Sequence, residues 1–175
     1  AMFALGLAHV AGADLAGACA GISEFVGVRR RFELHEGASG GVLVNDYAHH
    51  PVEIEAVLQT ARRRFPDRRL VVAFQPHQYQ RTLLLMESFA ASLAAADVTF
   101  IAEIYGARES DEIMASVSAG DLVAAVRERG GDAHYGGPVA GLPDVLAEHR
   151  RDGDVVLVLG AGDIDKAVGG IVAGI

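Results

Sequence analysis

The chain has a single cysteine, Cys19. That excludes a disulfide framework and a cysteine-built metal cage, and a lone thiol in an apolar stretch reads as a buried structural residue. No apolar run approaches the ~20 residues needed to cross a bilayer. The start also lacks a basic segment ahead of an apolar core, so no export leader is legible and a cytoplasmic protein is expected. Positive charge is in deficit, with Lys+Arg 15 against Asp+Glu 23 and a net charge of −8. A general nucleic-acid or anionic-membrane surface is therefore excluded, although Arg29-Arg30-Arg31 and Arg62-Arg63-Arg64 gather positive charge locally. Internal repeats and low-complexity segments are missing too. What remains is ordinary: 175 residues, 51% hydrophobic and 22% charged, enough for one globular domain with a real core and a fragment of a second. Ala1 ahead of Met2 reads as an added residue, with a deliberately cut piece beginning at Met2.

Two helices are predicted first, over Met2 to Ala11 and about Leu15 to Phe25, with Asp14 as N-cap of the second. No strand separates them, so residues 1–28 read as the end of a preceding domain, closing at a Gly27 hinge. Arg31 to Glu36 alternates as a half-buried strand does, and Gly37 to Gly41 turns the chain into a buried strand at Val42. Thereafter strands and helices alternate. Pro51 opens a helix carrying Ile54, Val57, Leu58, Ala61 and Phe65 on one face, with Glu53 and Glu55 suited to its positive end. Leu70 to Phe74 is a strand, and Thr82 caps a helix with Leu85, Met86, Phe89 and Leu93 facing inward. Val98 to Ala102 is a strand, and Ser118 with Asp121 caps a helix that stops at Gly130-Gly131. A helix over Leu142 to His149 leads to the strand Val155 to Leu159. Gly160-Ala161-Gly162 then turns the chain into a last helix capped by Asp163. Such alternation implies right-handed crossovers and an α/β fold: a mostly parallel open sheet with helices on both faces.

The polar residues collect where apolar strands end. Asp46-Tyr47-Ala48-His49-His50, Gln75 to Arg81, Glu103-Ile104-Tyr105 and Gly160 to Asp163 each follow a strand, so a parallel sheet brings them to one edge, where open α/β sheets bind ligands. Individual motifs stay open. His49-His50 fits a substrate-facing imidazole with a structural neighbour better than a metal pair, because adjacent side chains diverge and no third ligand is evident. Asp46 either caps the following helix or contacts a ligand. Gly160-Ala161-Gly162 lacks the third glycine of a dinucleotide fingerprint and serves either as a tight turn or as an anion site at a helix start. Glu103 is either an acid of the site or a partner for Arg81 or Arg108. Arg29 and Arg30 read as solvated charge.

Taken together, Gly27 to Phe32, Val44 to Pro51, Phe74 to Thr82 and Gly160 to Ile164 resemble the C-terminal part of the Mur ligases. Glu103 to Glu109 is similar to the corresponding family loop. The resemblance covers essentially the whole chain. It is strongest to the members that add L-alanine to UDP-N-acetylmuramate in peptidoglycan synthesis, and weaker, in the Phe74 to Thr82 motif, to those that recycle murein peptides. It implies a Rossmann-like domain, over residues 29–175, that follows an N-terminal UDP-sugar domain and a central ATPase domain, whose last helices would be residues 1–28. It also implies ATP-dependent peptide-bond formation through an acyl phosphate, with ATP and Mg2+ in the full-length enzyme, neither bound tightly here. A stand-alone flavodoxin-like binding module is the alternative of a different class.

The resemblance further implies a nucleotide-phosphate contact at Arg31 and a nucleotide contact near the ribose at Asp46. Tyr47, His49, His50, His77 and Arg81 match positions around the incoming amino acid and the muramoyl end; an arginine there suits a carboxylate. Two departures stand out: Asn45 replaces the first residue of a frequent Asp-Asp pair, and Gln78 stands where many relatives carry arginine. The sequence contains no Gly-x-x-x-x-Gly-Lys-Ser/Thr phosphate loop, so this chain is expected to supply half of a site and to be inactive alone.

Overall fold

The structure, a computed structural model, describes residues 2–25, 27–37 and 40–175. Ala38 and Ser39 of the expected Gly37 to Gly41 turn therefore lie outside the described residues, as does Val26 beside the expected Gly27 hinge. Helices α1 (Met2–Val10) and α2 (Leu15–Ser23) pack against each other and bury no residue. Asp14 caps α2 as predicted, its carboxylate accepting the amides of Ala16 and Gly17 at 3.2 and 2.7 Å. Cys19 corrects an expectation: it is exposed, because α2 covers nothing.

The remaining chain builds one six-stranded sheet in the order β1-β2-β6-β3-β4-β5. Strand β1 (Glu33–Glu36) runs antiparallel to β2 (Val42–Asp46), and every other pairing is parallel. Strands β3 (Leu70–Phe74), β4 (Val98–Ala102) and β6 (Val155–Leu159) are buried at every position. A parallel strand covered on both faces has no solvent side, so it appears as an unbroken apolar run.

Handedness fixes which helix covers which face. The chain steps from β2 to β3 to β4 to β5 (Ala133–Gly137) in one direction, so right-handed crossovers place α3 (Pro51–Arg64), α5 (Met86–Leu93) and α7 (Ala119–Glu128) on one face. There Ile54, Leu58, Phe89, Leu93, Leu122 and Val126 pack on Val44, Val72, Phe74 and Leu157. The return from β5 to β6 reverses direction. Accordingly α8 (Leu142–His149) and α9 (Val168–Gly174) cover the opposite face, where Leu142, Leu146, Val168 and Ile171 meet Leu43, Val71, Phe100 and Val158. The carboxyl end of β6 is thus flanked on both sides by strands whose loops leave toward the other face. That is the topological switch point of an open α/β sheet.

Two expected caps, Thr82 and Asp163, are corrected, and two elements were not foreseen. Thr82 does not cap a helix. It is fully buried inside α4 (Tyr79–Leu84), its hydroxyl donating to the Gln78 carbonyl at 2.8 Å. The helix starts earlier because the Glu109 carboxylate accepts the amides of Tyr79 and Gln80 at 2.9 and 2.8 Å, a cap supplied from another loop. Leu85, at φ −110 and ψ 16, then separates α4 from α5. Strand β5 was not foreseen, since Ala133-His134-Tyr135-Gly136-Gly137 has no apolar run; as an edge strand it is half-open. Asp163 makes no side-chain cap, and the last helix is preceded by a 3-10 turn over Ile164–Ala167. The short helix α6 (Asp111–Met114) was likewise unforeseen. By contrast, Ser118 and Asp121 cap α7 reciprocally as expected, and Gly130 ends it at φ 81.

Candidate active site

The sheet's carboxyl edge assembles the residues that the sequence grouped there. At its centre the imidazole of His77 lies face to face with Tyr105, ring centroids 5.3 Å apart and planes at 18°. The edge of His49 meets His77 at 6.2 Å and Tyr47 at 5.4 Å. Backbone pairing holds this group together: Tyr105 N–H donates to Pro76 at 2.8 Å and Gln78 N–H donates to Tyr105 at 2.9 Å. Gln78 adopts φ 73 and ψ 128, a conformation costly for a non-glycine residue and found where a loop is held for a purpose.

The two histidines of the 49–50 pair have different surroundings. His49 Nδ1 lies 3.0 Å from the Tyr47 carbonyl. A carbonyl only accepts, so this nitrogen, which also lies 3.3 Å from Glu53 Oε2, carries a proton. Glu53 accepts the amides of both His49 and His50 at 2.9 and 3.1 Å, fixing the turn into α3. Burial raises the Glu53 carboxyl, but those amides, the His49 ring and the Arg31 charge together hold it below its ordinary value. His50 is exposed at the helix N-cap and stands outside the ring cluster. Among the described residues, no group of three or more His, Cys, Asp or Glu side chains converges as a metal site.

His77 and Arg81 lie in one turn. Burial, then the positive charges of Arg81 and His49, depress the His77 pKa, opposed by Glu109. His77 Nδ1 and Arg81 Nη1 are both buried without a hydrogen-bond partner among the described residues. Neither Glu103, one expected partner for Arg81, nor the neighbouring Glu109 is paired with it. Glu103 accepts the Tyr135 hydroxyl at 3.1 Å, and Glu109 caps α4. An imidazole nitrogen and a guanidinium N–H are thus both left unpaired in one turn.

Asp46 does not cap α3. Its carboxylate accepts the Ala48 amide at 2.8 Å and the Phe32 amide at 2.7 Å, and it is only 6% exposed. The segment ahead of β1 is thereby tied to the end of β2, with Arg30 and Phe32 at φ 55 and 48. Arg30 corrects the solvated reading: half-buried, it donates to the carbonyls of Gly160 and Gly162 and lies 3.5 Å from Asp165. Arg30 and Arg31 both approach the Tyr47 ring, at 4.7 and 5.4 Å from its centroid. Nothing in the arginine run distinguishes Arg30 from its neighbours before the β6 turn is placed beside it.

The glycine turn serves as a tight turn and not as an anion cradle. Gly160 has φ 151, and a Cβ there would lie 2.9 Å from the Gln75 carbonyl oxygen. Its carbonyls face Arg30, the Ile164 amide donates to Gln75 Oε1 at 3.0 Å, and Asp163 and Asp165 flank it with negative charge. Gln75 also donates to Asp163 at 2.9 Å, the main reason that this carboxyl lies below its ordinary value. The part of Gln75 was not foreseen beyond its place in a polar turn.

Comparison with known proteins agrees with this geometry. The chain is 48% identical over 148 residues to the UDP-N-acetylmuramate–L-alanine ligase of Salinibacter ruber, covering 84% of this chain and 31% of that protein. It is 40% identical over 170 residues to the same-named ligase of Chloroflexus aggregans, covering 97% and 35%. The chain thus spans about a third of the length of these curated relatives. A crystal structure of UDP-N-acetylmuramate-alanine ligase from Thermotoga maritima superposes with a TM-score of 0.78 at 30% identity, over 96% of this chain and 35% of that one. With the family model described as "Mur ligase, glutamate ligase domain" matching residues 30–162, this chain belongs to the Mur ligases and carries their C-terminal domain.

Proposed function

We propose that the chain is the C-terminal domain of an ATP-dependent ligase that joins L-alanine to UDP-N-acetylmuramate in peptidoglycan synthesis. The observation that carries this is the pair of unpartnered buried atoms, His77 Nδ1 and Arg81 Nη1, beside the His49, Tyr47 and Tyr105 rings. A free amino acid is a zwitterion. Its carboxylate pairs with the Arg81 guanidinium, while the neutral His77 imidazole accepts a hydrogen bond from its amino group. The names of the relatives support alanine as that amino acid.

In this reading ATP phosphorylates the muramate carboxyl group, the alanine amine attacks the acyl phosphate, and inorganic phosphate leaves. Tyr47, His49 and His50 border the muramoyl end. Arg31 and Asp46 face the nucleotide, with Asp46 also fixing the Phe32 amide and hence the arginine run. In this reading the chain positions the amino acid and the nucleotide. Residues 1–28 belong to the end of the central ATPase domain. The fully unburied α1 and α2, and a family match that begins at residue 30, support that division. Action in the cytoplasm follows from the substrates.

Steady-state ligation by the full-length protein, with muramate and muramoyl-peptide acceptors compared, tests the assignment. Preference for a peptide acceptor would favour the recycling class instead.

A further inference from the structure

Beside the Tyr105 ring lies a solvent-open hollow of about 360 Å³ that the proposed reaction does not use. Its lining includes Gln75, Glu103, Tyr105, Pro138, Val139 and Asp163. Tyr105 separates it from the cleft: one face of the ring lies on His77, and the residue also lines the hollow. Tyr105 is 38% exposed but anchored through its backbone. Its backbone is hydrogen-bonded on both sides to the Pro76–Gln78 turn. Gly162 packs so closely on it that a Cβ there would lie 2.8 Å from Tyr105 Cγ and 2.4 Å from Gln75 Oε1.

Resting on the amino-acid site proposed above, we infer that Tyr105 is the residue that limits the ligase to a small amino acid. It stands between that site and an open hollow that would otherwise receive a longer side chain. An amino acid held by Arg81 and His77 meets the Tyr105 ring beside His77, which leaves room for a methyl group. Removing the ring joins the cleft to the hollow, where the Glu103 carboxylate suits a cationic side-chain end and opposes an anionic one, beside an Asp163 already paired with Lys166 at 3.2 Å. Asp163 keeps its charge readily, since the Gln75 hydrogen bond holds its carboxyl below the ordinary value. Pocket walls discriminate small side chains by roughly 10- to 200-fold per methylene, so the loss of one wall is measurable.

The test compares L-alanine, L-ornithine, L-norvaline and L-glutamate as substrates of the full-length ligase, wild type and Tyr105→Ala. The expected result is a rise of about tenfold or more in kcat/KM for L-ornithine relative to L-alanine, a smaller rise for L-norvaline and none for L-glutamate. Ala140 also lines the hollow; adding Ala140→Phe, which fills it, should reverse the gain while leaving alanine ligation unchanged in the wild-type background. Tyr105→Leu carries the comparison if Tyr105→Ala does not fold. Unchanged selectivity in a variant with wild-type thermal stability overturns the inference. So does complete loss of alanine ligation in both variants when both are folded, which would make Tyr105 part of the alanine site itself. A wild-type enzyme that ligates another amino acid in preference to alanine overturns the underlying functional assignment, and is recognised before any variant is made.

Discussion

The Arg30 guanidinium donates to the carbonyl of Gly160, a residue 130 positions further along the chain. The contact joins the entry to β1 to the turn after β6, and through the Tyr47 ring it reaches the histidine cluster. Arginine here organises the site from within: its charge is spent on backbone carbonyls and Asp165, leaving Arg31 exposed at the same ring.

The isolated chain should fold cooperatively and yet neither hydrolyse ATP nor ligate alanine. It has two packed apolar layers around one sheet and no phosphate-loop sequence. Thermal melting followed by circular dichroism, with phosphate release measured on the same preparation, checks both halves. Substantial ATP-dependent ligation would refute the division of labour between domains.

Arg81→Ala in the full-length enzyme should raise the KM for L-alanine roughly ten- to a hundredfold while leaving that for ATP within about twofold. The expected loss is one charge-assisted hydrogen bond of ~1.5–3 kcal/mol. Stability should change little, because Arg81 forms no ion pair among the described residues. An unaltered alanine KM would transfer the role to another cation, with Arg108 first in line.

Alanine binding should weaken in acid with a midpoint below the ordinary imidazole value of 6.5, because His77 titrates below it. Stability has the same sign. In the window just below 6.5 the unfolded chain binds a proton at this position that the folded chain resists. The native state is therefore favoured above that window and loses the advantage as pH falls through the folded pKa. His77→Asn should flatten both profiles in that range, and chemical denaturation at pH 5.5 and 7.5 reads the stability part.

Asp46→Ala should cost the isolated domain about 2–4 kcal/mol, since two backbone amides lose a charged acceptor in a nearly water-free position. In the full-length enzyme it should raise the KM for ATP more than that for the UDP-sugar. Urea denaturation and substrate-by-substrate kinetics separate the two effects, and equal weakening of both substrates would count against the nucleotide assignment.

Gly162→Ala should destabilise by about 1–3 kcal/mol through overpacking, as its methyl would press on Gln75 and Tyr105. The His77–Tyr105 stack should loosen with it, visible as a changed His77 ring shift in NMR spectra of the isolated domain. A variant as stable as wild type would show that this junction has slack.

How far the chain speaks for itself depends on the range of the contacts concerned. Strands β2, β3, β4 and β6 announce themselves as short apolar runs because a parallel strand covered on both faces needs apolar residues throughout. Pro51, Ser118 with Asp121, and Gly130 mark helix ends through capping chemistry confined to a few residues. Because parallel strands all end at the same edge, the gathering of the Tyr47–His50, His77–Arg81 and Tyr105 segments there was also legible, without the strand order. Tertiary structure alone decided the rest. Edge strand β5 exists because β4 offers it a partner, the start of α4 because Glu109 arrives from another loop, and the burial of Arg30 because Gly160 lies beside it. Tertiary structure also decided that Asp46 holds backbone amides and that Cys19 lies exposed. A hydrogen bond satisfied by a residue many positions away leaves no trace in local spacing, and a helix face shows its burial only when the surface it covers is present.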